Sequence, residues 1–282
     1  MITINFFFIL FSLLFNFLLF SINDFLAKKI NLYDFPNSKR KLHKFPIALN
    51  GGIFYFLNLT LLFIFDVFFN DFKLLSIFGF INEVDAIVTL IIIFCLLLLG
   101  IIDDKISLKP ISKSLISSII FFAFLSARVD YQIIGLRFET FMFSLDLFGL
   151  SLIFSILCFS ILQIILNMYD GINLQSSLYY STILIYLTIV NKNNTFSIFC
   201  ILTLINLIFF SFYNYRNKIF LGDNGVYVFS FILSLLIIKT YNKNIDMNIF
   251  VEEIFIILFM PLIDMLRLFF MRILKNNNPL DA

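Results

Sequence analysis

Charged residues, glycine, proline and tryptophan are all scarce in this sequence. Only 13% of its 282 residues are charged, and it contains 9 Gly, 5 Pro and no Trp. Soluble domains average about 25% charged residues, so the composition excludes soluble globular, disordered and collagen-like proteins. Hydrophobic residues make up 61% of the chain, with 42 Phe. The sequence therefore predicts a polytopic integral membrane protein.

Cysteine is also scarce, and the net charge is small. The three cysteines lie in apolar runs without paired spacing, which argues against a disulfide framework or a zinc site. The net charge of +2 is too small to indicate nucleic-acid binding, so no nucleic-acid partner is expected. The first apolar stretch lacks a basic start and a cleavage site, so it is interpreted as a membrane span.

Long apolar windows recur along the whole chain. A helix needs about 20 apolar residues to cross a bilayer, and candidate windows lie near residues 4–26, 50–69, 86–102, 111–127, 148–166, 175–190, 195–213, 225–240 and 250–270. We therefore expect an all-α membrane protein with about nine transmembrane helices. The segment 128–147 alternates polar and apolar residues, which predicts a short β-hairpin outside the bilayer.

The distribution of Lys and Arg predicts the orientation. With the N-terminus outside, one side receives most of the 20 basic residues, namely Lys28, Lys29, Lys39, Arg40, Lys41, Lys44, Lys105, Lys109, Lys113, Arg216, Lys218, Arg267, Arg272 and Lys275. Basic loops stay in the cytoplasm, so this side is predicted to be cytoplasmic.

Acids and other polar residues that membrane topology does not require gather on this same predicted face. They are Asp34 in the first loop, Asp103 and Asp104 in LGIIDDK, Asn167 and Asp170 in NMYDG, Asp223 in FLGDNG, and Asp264 with Arg267 near the end of the ninth span. Taken singly, each motif has a structural explanation: a hydrated helix end for Asp103–Asp104, a helix C-terminal turn for NMYDG and an Asp-Asn-Gly turn for FLGDNG. Their coincidence on one face is what indicates a site.

Several acids at a membrane surface suit a hard divalent cation. Mg²⁺ prefers one or two carboxylates together with waters and phosphate oxygens, and basic side chains nearby can balance the remaining phosphate charge. Nucleotides are cytoplasmic and lipids lie beside the spans. The pattern therefore suggests phosphoryl chemistry between a nucleotide-linked donor and a lipid acceptor.

The motifs, in this order, resemble those of the polyprenyl-phosphate N-acetylhexosamine-1-phosphate transferases. The first-loop pattern D-x-P-x-x-R-K-x-H…P…G-G is met, with Ser38 and Lys39 one position out of phase, by Asp34, Pro36, Arg40, Lys41, His43, Pro46, Gly51 and Gly52. The later motifs G-x-x-D-D, N-x-x-D-G, F-x-G-D-x-G and P-x-x-D are met by Gly100, Asp103 and Asp104, by Asn167, Asp170 and Gly171, by Phe220, Gly222, Asp223 and Gly225, and by Pro261 and Asp264. The resemblance covers residues 34 to 279.

The resemblance implies roles for individual residues. Asp103 corresponds to the proposed catalytic base, with Asp104 beside it, and Asp223 to the principal ligand of Mg²⁺ or Mn²⁺. The residues implied to lie at the metal, the pyrophosphate, the phosphates or the uracil are Asn167, Asp170, Arg40, His43, Lys44, Asn173, Phe220 and Asp264.

The resemblance also implies a reaction and its setting. A single membrane domain would transfer a sugar-1-phosphate from a UDP-sugar donor to a polyprenyl phosphate acceptor and release UMP. This would take place at the cytoplasmic face of a bacterial inner membrane and start a cell-envelope glycan such as a lipopolysaccharide O-antigen. A homodimer is left open, as is the choice between direct attack and a two-step mechanism.

Three departures from the family pattern stand out. Asn173 occupies the place of the second acid in D-G-x-D-G-L, and Ser107 stands where some members have a third acid after the Asp pair. The C-terminal histidine-rich loop of the family has no counterpart before Ala282, since the chain's single histidine is His43. We expect either an incomplete reading frame or a divergent member.

Two other classes of membrane protein are alternatives to a sugar-phosphate transferase. A transporter or lipid flippase without phosphotransfer chemistry would place ionisable residues near the bilayer midplane, whereas here the charges cluster at the span ends. A membrane phosphotransferase of the CDP-alcohol type would need D-G-x-x-A-R, and the chain reads DGINLQ instead.

Overall fold

The computed structural model describes residues 2–36, 43–69, 83–140, 142–191, 194–243 and 249–276. The helices in these ranges are α1 (Ile2–Ser21), α2 (Asn23–Ile30), α3 (Gly51–Phe69), α4 (Glu83–Ile106), α5 (Pro110–Ala127), α6 (Ser151–Tyr169), α7 (Gln175–Val190), α8 (Asn194–Tyr215), α9 (Gly222–Lys243) and α10 (Val251–Leu274). The only strands in the described ranges are β1 (Tyr33–Asp34), β2 (Ile47–Ala48), β3 (Gly135–Phe138) and β4 (Phe143–Asp146). The predicted all-α membrane fold is confirmed.

The number of spans differs from the predicted nine. Within the described ranges, seven helices are long and apolar enough to cross a membrane, and the bent pair α1–α2 could supply an eighth. That pair breaks at Ile22 with a bend of 54°, so the first predicted window is not one straight helix. The remaining window became α7, whose 16 residues extend about 24 Å at 1.5 Å per residue. This is shorter than a hydrocarbon core of about 30 Å.

The chain divides into two compact units, Met1–Ser107 with Ile172–Phe229 (unit 1) and Leu108–Gly171 with Ser230–Ala282 (unit 2). In unit 1, α1 packs on α3 and α8, α3 on α4, and α7 on α8. Three buried asparagines join these helices: Asn16 exchanges hydrogen bonds with Asn58 and accepts one from Asn206. Side-chain amides tie apolar helices together where hydrophobic contact alone does not discriminate between partners.

Unit 2 contains the predicted hairpin. Strands β3 and β4 pair antiparallel from Gly135 with Asp146 to Phe138 with Phe143, which confirms the hairpin predicted at 128–147. The hydroxyl of Tyr241 on α9 donates to the Gly135 carbonyl, and Glu252 at the start of α10 accepts from the Thr140 amide. The hairpin therefore packs at the end of unit 2 where α9 ends and α10 begins.

Among the seven long apolar helices of the described residues, α9 is the most deeply buried, and it contributes residues to both units. Its sequence is apolar or small on every side, which is typical of a helix surrounded by other helices rather than by solvent or lipid. Its first turn carries Asp223 and so sets the position of one predicted site residue.

Candidate active site

The first turn of α9 is held by a carboxylate from another helix. Asp104 Oδ1 accepts a hydrogen bond from the Asp223 amide at 2.8 Å, and Asp104 Oδ2 accepts one from the Asn224 amide at 3.1 Å. The Asn224 side chain also donates to Asp104 Oδ2. The first amides of a helix have no partner within the helix and attract negative charge, so a carboxylate here is a favourable cap. Asp104, near the end of α4, supplies it.

Asn224 connects this cap to a third segment. Its Oδ1 accepts a hydrogen bond from the Gly52 amide at 2.8 Å, and its Nδ2 donates to the Leu49 carbonyl at 2.8 Å. The residue is fully buried. Its side chain thus satisfies backbone groups of the entry to α3 while it also contacts Asp104. We call the pair Asp104–Asn224 the latch.

Glycines allow the backbones to approach closely enough for the latch to form. A Cβ on Gly100 would lie 2.2 Å from Asn224 Cα, and one on Gly52 would lie 2.4 Å from the Asn224 carbonyl carbon. Gly222 has a φ of +71°, and a Cβ there would lie 2.9 Å from Asp104 Oδ2. The spacing of G-x-x-D-D therefore has a packing explanation: Gly100 lies one turn before the acids and admits α9.

Asp103 makes a different contact from that of its neighbour. Its Oδ2 accepts a hydrogen bond from the Tyr227 hydroxyl at 2.8 Å, and Asp103 is only 2% exposed. Asp104 is its neighbour in sequence, and Asp223 precedes Tyr227 by about one turn of α9. Three carboxylates are thus gathered in unit 1 beside the start of α9. A catalytic role for Asp103 requires substrate to reach a buried carboxylate, and it stays a prediction.

The first loop meets the FLGDNG segment through backbone pairing. Strands β1 and β2 bring Tyr33–Asp34 beside Ile47–Ala48, and the Phe220 amide donates to the Ala48 carbonyl at 2.8 Å. The Gly51 amide donates to the Phe220 carbonyl at 3.3 Å. Two motifs separated widely in sequence are therefore adjacent, as their shared predicted face required.

His43 and Phe220, both predicted to bind substrate, are in contact. Their ring centroids are 5.5 Å apart in an edge-to-face arrangement. His43 Nδ1 lies 2.8 Å from the Phe45 carbonyl oxygen, within hydrogen-bond distance. Nε2 lies 2.9 Å from Asp34 Oδ2. Lys44 follows as an exposed residue, and Arg40 lies outside the described residues.

Asn173, the departure from the family's second acid, has a structural contact of its own. Its Nδ2 donates to the Asn214 carbonyl at 3.1 Å and to Asn217 Oδ1 at 2.6 Å. Asn214 in turn accepts from the Leu174 amide at 2.7 Å. A carboxylate could not donate either bond, so the amide at position 173 joins the loop before α7 to the end of α8.

The other predicted site residues belong to unit 2. Asn167 lies in the last turn of α6 and Asp170 is its C-cap residue; both are half-buried. Their spacing of three places them on one helix face. Asp264 on α10 pairs with Arg267 at 2.6 Å. The roles implied for these three residues stay predictions.

Sequence reasoning missed Asn224 and Tyr227. The sequence was consistent with an Asp-Asn-Gly turn at Asn224. In the structure, Gly222 has a left-handed conformation and α9 begins at this residue. Tyr227 follows Asp223 by four residues, a helical spacing that places both on one face of α9. That spacing was the one feature of the sequence that could have drawn attention to it.

Comparison with known families adds one match. The sequence model described as glycosyl transferase family 4 matches residues 86–241. The matched region includes both members of the latch together with Asp103, Asp223 and Tyr227. No curated protein matches the chain.

Proposed function

Because this chain belongs to glycosyl transferase family 4, we propose that it transfers a sugar-1-phosphate of the N-acetylhexosamine type from a UDP-sugar to polyprenyl phosphate. Members of the family transfer a sugar phosphate to a polyprenyl phosphate carrier. The chain is accordingly a multi-pass membrane phospho-sugar transferase. The proposal adds the donor, the class of sugar and the release of UMP.

The proposed reaction exchanges one phosphorus–oxygen bond for another. A phosphate oxygen of polyprenyl phosphate attacks the phosphorus that carries the sugar. The bond from this phosphorus to the bridging oxygen breaks, and UMP leaves with that oxygen. Direct attack needs no covalent enzyme intermediate, because polyprenyl phosphate is already an anion. The site must then offset the repulsion between two phosphates.

The observation that carries this proposal is the gathering of Asp103, Asp104 and Asp223 at the start of α9, inside the matched region. Carboxylates held close together repel one another and are costly unless something compensates their charge. Backbone amides compensate Asp104. The Tyr227 hydroxyl donates to Asp103. A cation shared with substrate phosphates would add to this compensation.

The residues present fit Mg²⁺ held mainly by phosphate oxygens and water. Within the described residues, no three His, Cys, Asp or Glu side chains are grouped closely enough to hold a metal by themselves. Since Mg²⁺ commonly takes only one or two carboxylates from the protein, a smaller set suffices. Asp223, half-buried in the first turn of α9, is the residue that we propose as the ligand. When bound, Mg²⁺, or Mn²⁺ in its place, shields the negative charge of the two phosphates.

Unit 2 offers a space suited to the acceptor's hydrocarbon. A cavity of about 230 Å³ lies among α6, α9, α10 and the hairpin. Its lining is apolar except for Ser234 and Tyr241. Apolar walls bind isoprenoid chains without leaving buried polar groups unsatisfied. We assign this cavity to part of the polyprenyl chain.

The direction of the active face follows from the basic residues. Most Lys and Arg residues of the sequence fall on the side of the first loop, which the positive-inside rule assigns to the cytoplasm. UDP-sugars are cytoplasmic, so the proposed chemistry takes place at that face of a bacterial inner membrane.

The test is transfer by the purified protein in phospholipid-containing detergent. Polyprenyl phosphate, Mg²⁺ and a panel of UDP-GlcNAc, UDP-GalNAc and UDP-linked deoxy-amino sugars are supplied, and UMP release and lipid-linked sugar are measured. Exchange of labelled UMP into the UDP-sugar provides a second readout. A transporter would give neither product nor exchange, and that result with every donor would overturn the proposal.

The metal assignment is tested with two matched charge removals. Asp223→Asn removes the proposed ligand, whereas Asp146→Asn removes an exposed carboxylate on β4. The first is expected to lose transfer while remaining inserted in the membrane, because loss of charge at the site exposes no apolar surface. The second is expected to keep full activity. Normal turnover by Asp223→Asn would contradict its role.

A further inference from the structure

We propose that Asp104 and Asn224 are positioning residues, and that their latch holds Asp223 where it can act on the donor. This inference rests on the proposed function, which gives Asp223 its task. It assigns a role to Asn224, for which the family pattern has no fixed residue. It also separates the roles of the two adjacent acids, because Asp104 acts through the backbone of α9.

The contacts of Asp104 are those of a helix cap. Three donors converge on its two oxygens: the amides of Asp223 and Asn224 and the side chain of Asn224. One of these donors is the backbone of Asp223 itself. Hydrogen bonds from amides to a carboxylate are stronger than those between neutral groups. The position of the Asp223 backbone is therefore fixed by Asp104.

Asn224 extends this constraint to the entry of α3. Its Oδ1 accepts from the Gly52 amide and its Nδ2 donates to the Leu49 carbonyl, each at 2.8 Å. No other side chain of the same shape offers both an acceptor and two donors. Asp at this position would lack the donors, and Leu would lack both. The amide is thus required to hold α4, α9 and the residues before α3 in one arrangement.

The tight packing around the latch leaves no room for an alternative geometry. Gly52 and Gly100 both lie against the Asn224 backbone, where an added Cβ would approach to 2.4 Å and 2.2 Å. If the latch opens, the start of α9 cannot shift toward α3 or α4. It can move only away from them, and this moves the Asp223 carboxylate away from those of Asp103 and Asp104.

The test exchanges the two partners. In Asp104→Asn, one of the two acceptor oxygens is replaced by an amide nitrogen, so a single acceptor faces three donors. In Asn224→Asp, a second carboxylate lies beside that of Asp104. The double variant Asp104→Asn with Asn224→Asp returns one carboxylate and one amide to the pair. Hydrogen exchange of the amides of residues 223 and 224 is followed by mass spectrometry in the full-length protein without substrate. Steady-state transfer kinetics are measured in parallel.

Each single variant is expected to speed exchange at these amides by roughly ten- to a hundredfold, the loss typical of a hydrogen bond to a charged group. The kcat for transfer should fall by at least about tenfold. The double variant should recover only part of both losses, because the amide introduced at position 104 can donate to the carboxylate introduced at 224 while the bond from residue 224 to the Leu49 carbonyl stays lost. A general loss of stability would produce no such recovery. Asp146→Asn serves as the control and should change neither readout.

The two proposals fail in different ways. If exchange behaves as expected but wild-type protein transfers nothing from any UDP-sugar, the latch stands and the proposed function is wrong. If wild-type protein is active and Asp104→Asn abolishes turnover without faster exchange at 223 and 224, the latch is wrong and Asp104 acts on substrate. A double variant no better than the worse single variant also overturns the latch.

Discussion

Tyr227 donates a hydrogen bond to Asp103 Oδ2 across 2.8 Å, and the two residues are 1% and 2% exposed. They are 124 positions apart in sequence. The bond joins the end of α4 to the second turn of α9, just beyond the latch. A buried carboxylate retains its charge only when donors or cations compensate it. Tyr227 is one such donor for Asp103.

Removal of this hydroxyl should impair turnover more than binding. Tyr227→Phe keeps the ring but leaves Asp103 with one donor fewer, and hydrogen bonds to charged groups contribute about 1.5–3 kcal/mol. We expect kcat to fall about tenfold or more, with little change in KM for either substrate. The measurement is steady-state transfer with both substrates varied.

The matched control for this variant is Tyr180→Phe. Tyr180 is also fully buried in unit 1, and its ring stacks on Phe229 with centroids 4.2 Å apart, a contact that the substitution keeps. Its kcat should remain near the wild-type value. An unchanged kcat in Tyr227→Phe would show that Asp103 does not need this donor.

Close packing at Gly100 leads to a prediction about stability. In Gly100→Ala the added Cβ would lie 2.2 Å from Asn224 Cα, a backbone atom that cannot rotate away. Overpacking of this kind costs about 1–3 kcal/mol, so we expect a lower Tm in detergent and loss of transfer. Gly149→Ala is the control, because nothing lies within 4 Å of its added Cβ. Equal Tm values for the two variants would contradict the packing explanation of the G-x-x-D-D spacing.

The charged group around Asp130, outside the spans, gives a prediction about pH. Burial raises the pKa of Asp130, but the hydrogen bond and charge of Arg128, with the charge of Lys239, outweigh burial and leave the pKa below its ordinary value. The ring of Tyr131 and the amide of Asn242 also face this group. A carboxyl with a depressed folded-state pKa stabilises the fold above its unfolded pKa of about 3.9, and this is lost as the pH falls through the folded value.

Asp130→Asn should therefore be less stable than wild type at pH 7, with a difference that shrinks once the pH falls below about 4. Asp130 is 40% exposed, so solvent screening limits the effect to about 1 kcal/mol or less. Thermal unfolding of both proteins in detergent between pH 7 and pH 3 measures it. A difference in Tm that stays constant across this range would contradict the assignment.

The sequence predicted the elements of this fold better than the contacts between them. Each predicted apolar window contains a helix. The hairpin at 128–147 could also be predicted, because the alternation and Gly135 that indicate it are local features of the sequence. The break at Ile22 was missed, since an apolar run gives no indication of where a helix leaves the bilayer. The window at 175–190 predicted a span, but the 16 residues of α7 are too few to cross a hydrocarbon core of about 30 Å.

The sequence predicted that the first loop and FLGDNG lie together, but not how the contacts around them are arranged. Motif order placed the first loop and FLGDNG on one face, and backbone pairing of Ala48 with Phe220 brings them together. The difference between Asp103 and Asp104 could not be predicted, because adjacent identical residues differ only in what lies opposite them. Those partners, Tyr227 and Asn224, come from a helix more than one hundred residues away.

Asn173 provides the last prediction, because the family pattern and the structure lead to opposite expectations there. The pattern has an acid at this position and so leads to the expectation that Asn173→Asp restores function. In the structure, however, Asn173 donates to the Asn214 carbonyl and to Asn217 Oδ1. A carboxylate would lose both bonds and face two oxygens, at a cost of about 1–3 kcal/mol.

We therefore expect Asn173→Asp to lower the Tm and to raise the KM for the UDP-sugar, with a smaller effect on the polyprenyl phosphate KM. The control is Asn31→Asp, at the left-handed C-cap of α2, a conformation that Asp tolerates. That variant should behave as wild type. A higher kcat/KM for the UDP-sugar in Asn173→Asp would mean that the site lacks an acid, and that the amide network joining the loop before α7 to α8 is dispensable.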